Sequence, residues 1–222
     1  MVKTKGKKLW SSLTFRLTVI ALVIAILIVF RFVEDIGVEG QQNERFVVDR
    51  IIDGDTFVLA GGDRVRLLSI DTPEKGEPYY KQATQFLSNL VLDKVVRIEY
   101  ASRRRDKYGR LLAYVYIDSL FVNKTILENG LGYLYLFKDT DTGQDETKIL
   151  LQAQRSALKQ KVSLWSLKRE EEDYYIARPN SYRFHRPGCW YLRKSTKADN
   201  IIFKSREDAL WEGLSPCRRC QP

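Results

Sequence analysis

The 222-residue sequence predicts an α+β fold: a small five-stranded β-barrel with packed helices, preceded by an N-terminal transmembrane helix and followed by a small C-terminal module held by soft side chains. Three observations lead there. Between residues 46 and 117, short β-branched runs alternate with turn residues; between residues 17 and 33 the chain is almost wholly apolar; and the one His and all three Cys lie beyond residue 180.

The barrel is read strand by strand. Residues 46–51 and 56–60 are extended, Gly61-Gly62-Asp63 is a hairpin turn, and 64–70 returns as a third strand. Asp55 then sits at a strand edge. Strands at 94–101 and 111–117 are separated by the polar loop from Ser102 to Gly109, which lifts Asp106 and Arg110 to a rim. Helices fit at 79–91, where Ala83, Phe86, Leu87 and Leu90 share a face, at 122–129, ending before Gly130, and at 145–162. Five short strands covered by helices make an OB-type barrel, placed over residues 45–168, an architecture that often binds oligonucleotides across one face. Fold alone proves no activity.

Ahead of the barrel, Leu17 to Phe30 is apolar apart from Thr18, and Lys3, Lys5, Lys7, Lys8 and Arg16 precede it without an acid. If Arg16 and Arg31 snorkel, Phe15 to Val33 reaches about 28 Å, enough to span a bilayer. The reading is a basic cytoplasmic tail over 1–16, an anchor over 17–33 and a tether over 34–44, with the positive-inside rule placing the barrel on the extracytoplasmic side of the cell membrane. A cleaved signal peptide also fits the length and would leave the protein secreted. No small-x-small site follows convincingly, which favours the retained anchor.

The net charge of +9 points first to a polyanion, but it is unevenly spread. Residues 17–180 hold 23 bases and 24 acids, so the barrel is nearly neutral; residues 181–222 hold nine bases and four acids. A basic patch on that last segment can attract nucleic acid, or simply be a solvated surface.

Within the barrel, three acidic runs are punctuated by arginine: Asp53-Gly54-Asp55-Thr56, then Arg66 with Asp71-Thr72-Pro73-Glu74, then Asp106-Lys107-Tyr108-Gly109-Arg110. Cutting a phosphodiester needs a cation or guanidinium on the phosphoryl oxygens, a carboxylate to hold the cation, and a base or oriented water. Asp55 and Asp71 are hard oxygen ligands suited to Ca²⁺, and Arg66 and Arg110 can each grip a phosphate with two parallel hydrogen bonds. No His or Cys is needed. Taken singly, the first run is a turn with solvated carboxylates and the second a capped helix start.

All three in this order resemble the thermonuclease, or staphylococcal-nuclease-like, family over roughly residues 45–166, closing on Leu164-Trp165-Ser166. That resemblance implies an endonuclease that cleaves DNA and RNA at the 5′ P–O bond and leaves 3′-phosphates. It implies that Asp55, Asp71 and the Thr72 carbonyl bind Ca²⁺, that Arg66 and Arg110 neutralise the scissile phosphate, and that Glu74 orients or deprotonates the attacking water. Tyr108, Lys107 and Tyr135 are the implied nucleotide contacts; the register of Tyr135 departs from the family, and a strand tyrosine is commonly a packing residue.

The C-terminal segment places His185-x₃-Cys189 ahead of Cys217-x₂-Cys220. Two close pairs of soft ligands can close a tetrahedron around Zn²⁺, and a module this small has little core without such a staple. A disulfide is the alternative, but it leaves one cysteine unpaired and His185 without a role. Ser205 starts a helix with Asp208 in the capping-box position and Gly213 after its end. Phe184 to Cys189 and Ala209 to Pro222 resemble the metal-binding domain of Ada-type DNA-repair regulators, whose first of four Cys ligands accepts a methyl group. His185 occupies that position, and an imidazole is a poor substitute for a nucleophilic thiolate, so the resemblance implies a structural zinc module over 181–222. Lys168 to Asp173 is a solvated charge run, and 169–180 is read as a linker. No protein partner is evident.

The sequence therefore leads to a membrane-anchored, Ca²⁺-dependent endonuclease with a zinc module. Two rivals stay open: a non-catalytic OB-fold nucleic-acid-binding protein, and a DNA-damage sensor built on the Ada-like segment.

Overall fold

The computed structural model describes residues 19–27, 44–137, 145–193 and 199–222. The chain divides into two units, Met1–Gln42 and Asn43–Pro222. In the first, residues 19–27 are helical. Among the described residues no helix is long and apolar enough to cross a membrane; the rest of the expected 17–33 span, like the basic tail, lies outside the described residues.

The second unit opens with a closed five-stranded barrel. Strands β1 (Glu44–Ile51), β2 (Thr56–Leu59), β3 (Arg64–Leu67), β5 (Val95–Arg105) and β6 (Leu111–Ile117) run in the order β3-β2-β1-β5-β6, and a parallel β3–β6 pairing closes the ring. Short β7 (Leu120–Phe121) extends β6. Val48, Phe57, Val65, Leu67, Val96, Ile98, Ala113 and Val115 fill the interior, all fully buried. Their alternation is the period-2 pattern of half-buried strands.

Three helices close the barrel. Helix α1 (Tyr80–Val91) buries Ala83, Leu87 and Val91, one stripe at four-residue spacing, with Phe86 and Leu90 packed beside it. Helix α2 (Val122–Glu128) buries Asn123, whose amide accepts from Val115 N (3.1 Å) and donates to Leu68 O (2.8 Å), so the polar side chain is satisfied. Helix α3 (Asp145–Gln160) buries Leu150, Ala153, Gln154 and Ala157.

Two expected elements differ. The strand expected over 64–70 stops at Leu67, because the chain reverses at Ser69 (φ 59°) and resumes as β4 (Ile70–Asp71), which pairs with β8 (Tyr133–Leu134) instead of the barrel. The loop expected from Ser102 is shorter, since β5 runs on to Arg105 and leaves a tight hairpin at 106–110. Each change moves an acidic residue: the first returns Asp71 toward Arg66, and the second raises Asp106 on a two-strand projection.

The C-terminal module is a four-stranded sheet in the order β11-β9-β10-β12, made of β9 (Tyr175–Ala177), β10 (Arg183–His185), β11 (Ile201–Phe203) and β12 (Ser215–Pro216). β9 lies in the segment read as a linker. It is a central strand whose Tyr175 and Ala177 are buried against Phe184, Ala209 and Leu210. The expected helix is present as α4 (Arg206–Trp211), with the Ser205–Asp208 capping box formed in both directions at 3.0 and 3.1 Å.

The module and the barrel belong to one compact unit, and Gln154 joins them. Its amide nitrogen donates to Leu210 O of α4 (2.8 Å), and its oxygen accepts from Leu134 N of β8 (2.7 Å). Tyr133, Leu158 and Trp165 complete the small apolar core of the module.

Candidate active site

The three acidic motifs meet at one end of the barrel. Gly54 lets the loop before β2 lie against the Pro73 turn: a Cβ there would meet Thr72 Oγ1 and Ala83 Cβ, each at 2.7 Å. Asp55, which follows it, is buried and well anchored. Its Oδ2 accepts from Thr72 N (3.0 Å) and Thr72 Oγ1 (3.2 Å), and its Oδ1 from Thr56 Oγ1 (2.9 Å).

Arg66, from β3, organises the centre. Nη1 donates to both Leu67 O and Ile70 O at 2.8 Å, so the guanidinium ties together the two ends of the reversal that ends β3. Nη2 then faces two carboxylates, Asp71 Oδ1 at 2.9 Å and Asp55 Oδ2 at 3.5 Å. Burial works against the Arg66 charge, but Asp55 and Asp71 outweigh it and hold its pKa above the ordinary value. The Asp71 pKa is raised as well: burial lifts it more than Arg66 lowers it, and the nearby Asp55 charge adds to the rise. Asp53, one turn back, is raised to about 6 by burial and then by Asp55. A buried and a half-buried acid beside Asp55 thus resist ionising together, and a cation among the three carboxyls would favour their charged forms.

Arg110 and Glu74 line the same small cleft, of about 140 Å³, with Asp53, Asp55, Arg66 and Thr72. Arg110 is held at the hairpin tip by Asp106, through Nε (2.8 Å) and Nη2 (2.7 Å). Asp106 also accepts from the backbone N–H groups of Tyr108 and Arg110. Burial opposes its charge, but those bonds keep its pKa low, so it serves as a fixed anion that aims Arg110. Glu74 is open to solvent, with its side chain 63% exposed.

The structure thus brings Asp55, Arg66, Asp71, Thr72, Glu74 and Arg110 to one place. The predicted nucleotide contacts lie around its edge. Tyr108 is 62% exposed on the hairpin, with the Arg110 guanidinium 5.5 Å and Lys107 Nζ 4.9 Å from its ring. Tyr135 sits on the module side, where Arg183 stacks on its ring at 3.4 Å.

Sequence reasoning passed over one residue that reaches the site. Arg218 of the module ion-pairs with both oxygens of Asp71 and, through Nη1, with Glu74 Oε1 at 3.3 Å. Its only sequence signal was its place in the basic Cys217-Arg218-Arg219-Cys220 turn.

The second candidate centre is the one cluster of three or more His, Cys, Asp or Glu side chains placed to share an ion among the described residues. The ligand atoms of His185, Cys189, Cys217 and Cys220 lie within 4.8 Å of one another. No disulfide forms among them. His185 Nδ1 is 3.3 Å from Cys189 Sγ, and burial, with Arg178 and Arg183 nearby, lowers the His185 pKa to about 4, which keeps the ring neutral and able to ligate.

Known proteins resemble this chain in sequence. A family model described as staphylococcal nuclease homologue matches residues 64–167. The chain is 32% identical to a thermonuclease of Staphylococcus intermedius over 68% of its own length and 98% of that protein's. It is 30% identical to a thermonuclease of Staphylococcus hyicus, covering 59% of the chain and 80% of that protein. It is also 36% identical to endonuclease YncB of Bacillus subtilis, over 59% of the chain and 67% of that protein. With similarity running through almost the whole of one such relative, the chain belongs to the staphylococcal nuclease homologue family.

Proposed function

We propose that this protein is a Ca²⁺-dependent endonuclease that hydrolyses phosphodiester bonds of DNA and RNA and leaves 3′-phosphates. The observation that best supports the reading is that Asp55 and Asp71, from separate motifs, flank a single nitrogen of Arg66, which lines one cleft with Asp55, Glu74 and Arg110. The donor set fits a hard cation: two buried carboxylates with the Thr72 carbonyl are oxygen ligands of the kind Ca²⁺ takes. A bound Ca²⁺ supplies Lewis-acid polarisation of a phosphoryl oxygen and helps ionise water.

The chain's own residues do the rest. Arg66 and Arg110 bind the phosphoryl oxygens, where charge gathers as the attacking oxygen bonds to phosphorus. Arg66 is held by backbone carbonyls and Arg110 by Asp106, so neither reorganises during the reaction. Glu74 takes the proton of the attacking water; the P–O5′ bond breaks, and the departing oxygen is protonated from solvent. Tyr108, Lys107 and Tyr135 contact the nucleotide on either side.

We also infer that the Cys/His cluster holds a structural Zn²⁺. Zn–S bonds of about 2.3 Å in a tetrahedron put ligand atoms roughly 3.8 Å apart, within the span of the four side chains. Burial pushes the Cys220 thiol up to about 12, so a cation is needed to make it a thiolate. The apolar, base-flanked N-terminal segment supports a membrane anchor with the barrel on the extracytoplasmic side.

Incubating the purified full chain with DNA and with RNA, in Ca²⁺ or in chelator, tests the activity. Cleavage of both only with Ca²⁺, giving ends that need phosphatase before they can be extended, is the expected outcome. Binding without metal-dependent cutting would sink it. Native mass spectrometry tests for zinc, and resistance of the membrane-bound chain to alkaline extraction tests the anchor.

A further inference from the structure

We propose that Arg218 is a third phosphate-binding arginine of the nuclease site, delivered to it by the C-terminal module. The proposal rests on the nuclease reading and adds to it a residue from outside the matched segment, which ends at 167.

The short turn that carries Arg218 is fixed at both ends. Cys217 N donates to Phe184 O at 2.9 Å, which pins the start of the turn to β10. At the other end, Arg186 donates from its backbone N to Cys220 Sγ (3.4 Å) and from Nε to Cys220 O (3.1 Å). The side chain leaving this turn lines the same cleft as Asp55, Arg66 and Arg110. It is placed there by the module's architecture and not by the barrel.

Availability separates the three arginines. The Arg66 side chain is 11% exposed and its Nη1 is committed to two carbonyls; that of Arg110 is 25% exposed and tied to Asp106; that of Arg218 is 54% exposed. A phosphate entering from solvent therefore meets the Arg218 guanidinium first. Its partners, Asp71 and Glu74, are the residues read as cation ligand and base, so Arg218 offsets their charge. The exposed Arg218 fork can turn to incoming phosphoryl oxygens, for which a planar bidentate donor is well matched, and an Asp71 holding a divalent cation would free it further.

The surface leading away from Arg218 has the chemistry of a polynucleotide track. A second cleft, of about 580 Å³, runs from Arg218 past Tyr135 and Arg183 to Tyr191 and Arg219. The Arg219 guanidinium lies 5.4 Å from the ring of Trp190, and Trp190 and Tyr191 are each about half exposed. Arginines for phosphates interleaved with partly exposed aromatic rings for bases are how single strands are held without sequence preference.

The experiment compares the wild-type full chain with Arg218→Ala and Arg218→Lys. Binding of a short single-stranded oligodeoxynucleotide is followed by fluorescence anisotropy across a salt series in chelator, and cleavage of the same strand is then measured in Ca²⁺. The alanine variant is expected to lower the slope of log affinity against log salt by about 0.7, one phosphate contact, and turnover by roughly 10-fold or more. The lysine variant is expected to restore the slope but not the turnover, because the charge returns without the fork. An unchanged slope with unchanged turnover in Arg218→Ala overturns the proposal. So does faster cleavage at lower Ca²⁺, the behaviour of an arginine that merely blocks Asp71. Absence of cutting by the wild type would instead refute the nuclease reading, while the salt slope would still report on Arg218.

Discussion

The barrel and the C-terminal module are built on different principles. Among the described residues, the barrel and its helices bury a continuous cluster of twenty-five apolar side chains, whereas the module buries five and borrows Tyr133, Leu158 and Trp165 from its neighbour. At about 1.5–3 kcal/mol per large buried side chain, the first can offset the entropy of its own chain and the second cannot. The module therefore depends on docking, and the Zn²⁺ proposed for its Cys/His cluster would add the staple its core lacks. The chemistry divides in the same way, since the rigid barrel holds Arg66 and Arg110 in place while the dependent module presents Arg218.

The largest expected effect probes the rigid side. Arg66→Lys or Arg110→Lys should each lower kcat by about 100-fold or more, because the charge stays while the fork is lost. Near-normal turnover in both variants would show that the barrel does not work through fixed guanidinium geometry.

Breaking the module's cluster should separate the two regions. Cys220→Ser is expected to expose the chain beyond residue 169 to limited proteolysis and to abolish binding of the proposed Zn²⁺, while the barrel resists digestion and keeps its near-ultraviolet circular dichroism. Loss of both regions together in one cooperative step would mean that the contrast in cores is not a contrast in stability.

A smaller effect should come from the joint. Gln154→Leu removes the acceptor of the buried Leu134 N and one of the two donors to Leu210 O, which keeps Gly213 N at 3.0 Å, and should cost about 1–3 kcal/mol, read as a lower midpoint in denaturant. Ser205→Ala, which removes the N-cap of α4, should cost about 1 kcal/mol. If the two regions are separate in stability, the second change lowers only the module's protection in hydrogen exchange.

Much of the barrel was legible in advance. The β-branched alternation at 46–51 and 111–117 and the apolar stripe through Ala83 and Leu87 are local periods, and the structure uses them as read. The strand over 64–70 was overextended because the apolar run Leu67, Leu68, Ile70 conceals the reversal at Ser69 (φ 59°), which the Arg66 hydrogen bonds to Leu67 O and Ile70 O stabilise. β9 was missed because Tyr175-Ile176-Ala177 is three residues long, too short to show a period next to a charge run. The motif residues of the site could be picked out from their order, whereas Arg218 could not, being one of several basic residues in a basic segment.

By itself the sequence determined which side chains were available and how they were locally spaced: paired acids and arginines in three motifs, two pairs of soft ligands, and the strand and helix periods between them. Only the tertiary structure decided that Asp71 turns back onto Arg66, and that Arg218, 147 residues further along, arrives at that same carboxylate. The physical reason is one of range. Periodicity and capping act over a few residues and leave their mark in composition, whereas docking of the module is set by burial and hydrogen bonds summed across surfaces that no local pattern records.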